Sequence, residues 1–144
     1  MTSPAVRRAQ GESPWEETFG SARAVAAGDR VLVGGTTSFQ GSVLYGEGDP
    51  YEQAKVAFTS AIEAIGEFGL GIGSVIRTRV YLSHPRDVDD AARAHKELFD
   101  AVRPVTTLLV VEGFVDPRIL VEVELEAFRG AADADVSARG AVES

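Results

Sequence analysis

The stretch RPVTTLLVVEGFVDPRILVEVELEAF, residues 103–128, decides how this chain is read. It divides into two strand candidates with a bend between them. The first, 105–112, is apolar or threonine on both faces until its closing glutamate, the pattern of a central strand covered on both sides. The second, 119–128, alternates: Val121, Val123, Leu125 and Ala127 point one way, and Glu122, Glu124 and Glu126 point the other. One face asks for a core. The other sets neighbouring carboxylates about 6.5–7 Å apart, close enough to repel unless water or cations intervene.

Working outward, residues 74–83 form a further strand candidate that answers the glutamates. Ile76, Thr78, Val80 and Leu82 share one face, and Arg77, Arg79 and Tyr81 the other. With both strands in one sheet, the arginines and the glutamates compensate one another. Asp49-Pro50-Tyr51-Glu52 is a helix start, with aspartate at the N-cap, proline in the first helical position and an acid three residues on. That helix is expected to reach Phe68, where Gly69 stops it, with Ala54, Phe58, Ala61, Ile65 and Phe68 as its apolar stripe. A second helix starts at Asp87 and carries Val88, Ala91, His95, Leu98 and Val102 on one side. Upstream, 22–26 and 30–37 read as a hairpin around Ala27-Gly28-Asp29, and the glycine-rich 39–48 as a loop with room for a short strand.

With 144 residues, 44% of them hydrophobic and 25% charged, the chain describes one globular domain, 15–129, between a flexible arm, 1–14, and a flexible tail, 130–144. The arm lacks periodicity and ends at Trp15, which either packs over a cleft or pins the first strand to the body. A formal net charge of −8 speaks against a nucleic-acid partner, which needs a basic patch. The absence of cysteine removes disulfides, thiolate nucleophiles and Cys-ligated metals. No apolar run approaches a membrane span and the first residues lack a signal-peptide core, so a soluble, cytoplasmic protein without a membrane partner is expected. The two histidines do not have the spacing of a metal site, and neither a metal nor a cofactor is expected. His84 precedes Pro85 in a loop, and His95 falls among core positions, where histidine is ordinarily a hydrogen-bonded packing residue.

The order of elements is that of an α+β layer sandwich: a mixed sheet with both helices on one face. The other face stays open, and a strand apolar on both sides does not tolerate water there. Self-association through the open face is the simplest remedy, which predicts a homo-oligomer.

Three segments in order, DPYEQAKVAFTSAIEAIGEFG, VIRTRVYLS and RPVTTLLVVEGFVDPRILVEVELEAF, resemble the YjgF/RidA (reactive intermediate deaminase) family over residues 15–129. The resemblance implies a chorismate-mutase-like fold with a six-stranded sheet. It also implies a homotrimer whose sheets line an inner barrel, with a ligand cleft at each subunit junction. In deaminating members an arginine after a Pro-Ala pair grips the substrate carboxylate; here Pro104-Val105-Thr106 puts Thr106 at that position. A hydroxyl does not replace a bidentate, permanently charged fork. The family's first-strand tyrosine corresponds to Ser21, and its helix-two asparagine falls near Ala92. Glu122 matches the acidic residue that orients the attacking water, and the Thr107 backbone N–H is a candidate to polarise a carbonyl or imine.

Two functions follow. The first is a small-molecule enzyme acting on an imine, enamine or related carbonyl compound, with Glu122 as general acid/base; its like-charged neighbours favour a raised pKa. The second is a non-catalytic trimer that binds a metabolite or a protein, its cleft shaped by Thr106, Thr107, Arg103 and Trp15. Ser21 and His95 complete the set of candidate binding residues. The ribonuclease label sometimes attached to the family fits poorly with the acidic balance.

Overall fold

The computed structural model describes residues 6–130; the expected tail falls almost wholly in 131–144, outside the described residues. Helices α2 (Pro50–Gly66) and α3 (Val88–Phe99) lie on one face of a six-stranded sheet. The strands are β1 (Val6–Ala9), β2 (Ala24–Ala27), β3 (Arg30–Thr36), β6 (Val75–Leu82), β7 (Val105–Val110) and β8 (Val121–Phe128), in spatial order β1-β2-β3-β8-β6-β7. Every pairing is antiparallel except β6 with β7, which α3 joins as a crossover, so the sheet is mixed. The expected α+β class and the two-helix layer are present. A small hairpin, β4 (Phe39–Gln40) with β5 (Val43–Leu44), fills the glycine-rich loop.

The sequence signals explain the elements they predicted. In β8 burial alternates without exception, with Val121, Val123, Leu125 and Ala127 inside. Asp49 caps α2 by accepting the Glu52 N–H at 3.1 Å, and Gly69, at φ +82°, ends the following turn. Gly28 takes the positive φ that the first position of a two-residue hairpin loop requires. The stripe of Ala54, Phe58, Ala61, Ile65 and Phe68 is buried against the sheet.

Three expectations are corrected. Residues 6–9, read as part of the arm, pair with β2, and Ser13-Pro14 starts a short helix, α1 (Pro14–Phe19), whose cap accepts the Trp15 N–H. Trp15 is about half exposed and lies against Phe19 within that short helix, 5.8 Å between ring centres with the planes tilted by 38°. Ile76 is exposed because the β6–β8 register shifts between Val75 and Arg77, a bulge that turns Val75 inward in its place. Finally, β7 is not central. It occupies the sheet edge, because β8 returns to pair between β3 and β6 and, among the described residues, leaves β6 as the only neighbour of β7. Its apolar residues on the helix-free side are therefore uncovered within one chain.

One buried polar side chain ties the loops to this frame. Gln53 on α2 has no exposed surface; its amide donates to the Gly46 carbonyl at 3.1 Å and the Arg118 carbonyl at 3.0 Å, and its oxygen accepts the Leu120 N–H at 2.8 Å. It thereby holds both the β4–β5 hairpin and the segment entering β8. Replacing Gln53 by leucine leaves those backbone groups unpaired, at about 1–3 kcal/mol for each that water does not reach. Urea unfolding of Gln53→Leu is expected to show a loss of about 2–4 kcal/mol at an unchanged slope; a loss below about 1 kcal/mol would show that the loops hold without it.

Candidate active site

On the helix-free face, β6 and β8 bring Arg77 opposite Glu126, Arg79 opposite Glu124 and Tyr81 opposite Glu122. Two of the three carboxylates are neutralised there. Glu126 pairs with Arg30 at 2.5 Å and Arg77 at 3.7 Å, and Glu124 accepts from Tyr81 Oη at 2.9 Å and Arg79 Nη1 at 3.4 Å. The Tyr81 phenol is pushed up, first by burial and then by its bond to Glu124. The arginine compensation expected from sequence thus holds for Glu124 and Glu126.

Glu122 stands apart. Among the described residues its carboxylate takes part in none of the ion pairs or hydrogen bonds of this face, which go to Glu124 and Glu126. It lies over the backbone of Gly35, in β3, where a Cβ would sit 2.0 Å from Oε2. The β3–β8 register shifts between Val33 and Thr36, and the side-chain-free Gly34-Gly35 pair at that irregularity makes room for the glutamate. Burial, followed by the Glu124 charge, raises the Glu122 pKa. A carboxyl with an elevated pKa, left out of those pairs, is able to take and return a proton. The glycine pair inside a strand was the available signal for this close approach.

The other predicted residues divide between two places. Thr106 and His95 meet on the helix side of the sheet: Thr106 Oγ1 is 3.2 Å from His95 Nε2, and the Thr78 hydroxyl lies 2.7 Å from Thr106 Oγ1 and 2.8 Å from His95 Nε2. His95 also packs between Phe58 and Phe99, and burial lowers its pKa. Thr78 was read only as a face-filling residue; a threonine among apolar neighbours, opposite a histidine-bearing helix, was the missed clue. Thr107 pairs with Arg79 in register and so shares the opposite, open face.

Thr107's backbone N–H is not available to a ligand. The Val111 N–H donates to the Leu82 carbonyl at 2.8 Å, and the two-residue period of β7 turns the N–H groups of 109 and 107 toward β6 as well. Those of Thr106 and Leu108 face the free edge instead. Arg103, at φ +60°, reverses the chain after α3, and its guanidinium is held by the Asp100 carbonyl at 2.7 Å and carboxylate at 2.6 Å. Trp15 and Ser21 flank the β1 side, five strand spacings or roughly 24 Å from β7, so one chain does not bring them to Thr106. Ala92 is on the exposed side of α3.

Residues 17–129 match the family described as Endoribonuclease L-PSP. The chain belongs to the YjgF/RidA family. Protein SCO2049 of Streptomyces coelicolor is 75% identical over 133 residues, covering 92% of this chain and 99% of that one. The crystal structure of Rv2704 from Mycobacterium tuberculosis, a member of the YjgF/YER057c/UK114 family, superposes with a TM-score of 0.78 at 29% identity, covering 86% of this chain and 99% of the other. Escherichia coli TdcF with bound serine shares the fold, with a TM-score of 0.71 at 19% identity, over 86% and 94% of the two chains.

The raised Glu122 pKa has a defined consequence for this family member's stability. A carboxyl whose folded pKa lies above its ordinary value of 4.5 makes the folded state lose stability as pH rises from there through the elevated value, after which the penalty is constant. Glutamine does not ionise. The melting temperature of Glu122→Gln relative to the unaltered protein is therefore expected to rise from about pH 4.5 upward and then level off. A difference independent of pH would show that Glu122 titrates normally.

Proposed function

We propose that the protein is a Rid-type enzyme acting on a small imine, enamine or related carbonyl compound, with Glu122 as general acid/base. The observation that carries this reading is the Glu122 carboxylate, outside the ion pairs of its face, lying over Gly35 with its pKa raised. For an imine the reaction is addition of water to the C=N carbon. Glu122 takes the proton from the attacking water and returns it to the departing nitrogen, so that imine and water become carbonyl compound and ammonia. No cofactor is needed for that balance. The serine bound to TdcF supports a small polar molecule as the ligand class of the fold.

The working unit in this reading is a homotrimer in the cytoplasm. Leu32, Ile76, Val105 and Leu109 are each exposed by 39–62% around the glutamate ladder, an apolar surface that two further copies would cover. Among the described residues no helix is long and apolar enough to cross a membrane. A second reading, a binding module without turnover, is favoured by one specific feature: Thr106 supplies no charge where the family resemblance places a carboxylate-gripping arginine.

Ammonia release from freshly generated 2-imino acids separates the two. Acceleration over buffer, lowered roughly 10²–10⁴-fold in Glu122→Gln, is expected of the enzyme; acceleration unaffected by the substitution removes Glu122 from the chemistry, and no acceleration with any imine leaves the binding module. Sedimentation at micromolar concentration is expected to give three times the 15.3 kDa of the chain, and a monomer would contradict the open-face argument.

A further inference from the structure

In the β3–β8 pairing Val33 faces Leu125 and Thr36 faces Val123, so two residues of β3, Gly34 and Gly35, stand against the single Glu124 of β8. A Cβ on Gly35 would meet Glu122 first and three times over: Oε2 at 2.0 Å, Cδ at 3.1 Å and Cγ at 3.6 Å. A Cβ does not come that close to a carboxylate oxygen, so a methyl group at 35 and the present place of the carboxylate exclude one another. Gly34 differs. Among the described residues a Cβ there comes within reach of the Arg23 carbonyl oxygen alone, at an ordinary 3.7 Å.

The backbone itself does not require glycine at 35. Its φ lies outside the positive range, so alanine adopts the same conformation. The carboxylate is the far end of a flexible side chain, and an alanine therefore displaces it and leaves the strand in place. The direction open to it is set by topology: β3 and β6 flank β8 on opposite sides. On the β6 side Tyr81 stands directly opposite Glu122 and Arg79 one diagonal away, both now bonded to Glu124.

Resting on the reading of Glu122 as the acid/base group, we infer that Gly35 is its positioning residue: the missing side chain seats the carboxylate on β3, away from the β6 donors, and any side chain at 35 sends it into the ion-pair ladder beside Glu124. The seat also accounts for the charge state. Burial is the first cause of the raised Glu122 pKa, and the Glu124 charge follows. Leaving the seat removes the burial and brings the carboxyl toward the Arg79 cation, and both changes favour ionisation.

Thermal unfolding across pH tests this on the full chain, as the melting temperature of Glu122→Gln relative to its parent in three backgrounds. With Gly35 intact that difference is expected to rise from about pH 4.5 upward. In Gly35→Ala it is expected to be flat or to fall, because the displaced carboxyl ionises at or below its ordinary value. In Gly34→Ala, the same chemical change one residue away, the rise is expected to persist. A rise that survives in Gly35→Ala would overturn the inference, since the carboxyl would then keep its place beside a methyl group. Loss of the rise in both alanine variants would assign it to general loosening of β3, and no rise in any background would show that Glu122 is not seated at all; either result also overturns it. In the ammonia-release assay Gly35→Ala is expected to be slowed about as far as Glu122→Gln, and a rate equal to that of the unaltered protein would remove the positioning role. The pH measurement needs no turnover: absence of ammonia release leaves it standing, and its failure leaves the imine assay untouched.

Discussion

The antiparallel pairing of β8 with β6 is the constraint on which the other elements depend. Because β8 alternates strictly, a slip of one residue would carry Glu122, Glu124 and Glu126 under the helices and Val121, Val123 and Leu125 into water. The apolar side supplies the energy, at about 1.5–3 kcal/mol for each fully buried large aliphatic side chain. The charged side supplies little, since half-exposed ion pairs such as Arg79 with Glu124 are worth about 0–1 kcal/mol. Their effect is on register: Arg77 and Arg79 fall opposite glutamates in this alignment, and a slip of one residue would set them opposite Leu125 and Val123 instead.

That division of labour explains why Glu122 differs from its two neighbours. The ladder provides two arginines from β6 and one from β3, and Glu124 and Glu126 take all three. The position opposite the third glutamate is Tyr81, whose hydroxyl goes to Glu124. On the other side of β8, Gly34 and Gly35 offer space and no charge. Glu122 is consequently half-buried beside a like charge, and both effects favour the protonated form.

Much of this was legible because the governing signals are local. The alternation of β8, the Asp49-Pro50 start of α2 and the two-residue loop at Gly28 are each written within a few residues, and each element formed where it was expected. What was not legible depends on partners distant in the chain. The composition of residues 105–110 correctly says that both faces avoid water, but it does not say whether the cover comes from neighbouring strands or from another molecule, so β7 was placed at the centre of a sheet whose edge it forms. The arginine-rich β1 has no periodicity of its own and is a strand only because β2 offers an edge. At Ile76 a bulge interrupted an otherwise faithful alternation. In the site, the strand alternation put Glu122 on the charged face and the family resemblance singled it out from its two neighbours, whereas Thr78 was overlooked because its partners come from α3 and β7.

The two polar centres found here are on opposite faces of one sheet. Glu122 and Thr106 are separated by two strand spacings, about 10 Å, across the sheet and by three residues, about 10 Å, along it, with the backbone layer between them. A ligand of a few carbon atoms does not reach both within one chain. A shared site therefore requires that a second copy present its open face to the free edge of β7, so that Glu122 of one subunit and the Thr106 cluster of another bound the same cleft. The exposed Val105 and Leu109, on the open-face side of that same edge strand, are the residues that such a contact would dehydrate. In such an assembly self-association and ligand binding would draw on one surface: the apolar residues would hold the copies together, and the polar groups between them would be brought to the distance at which a single small molecule could use both.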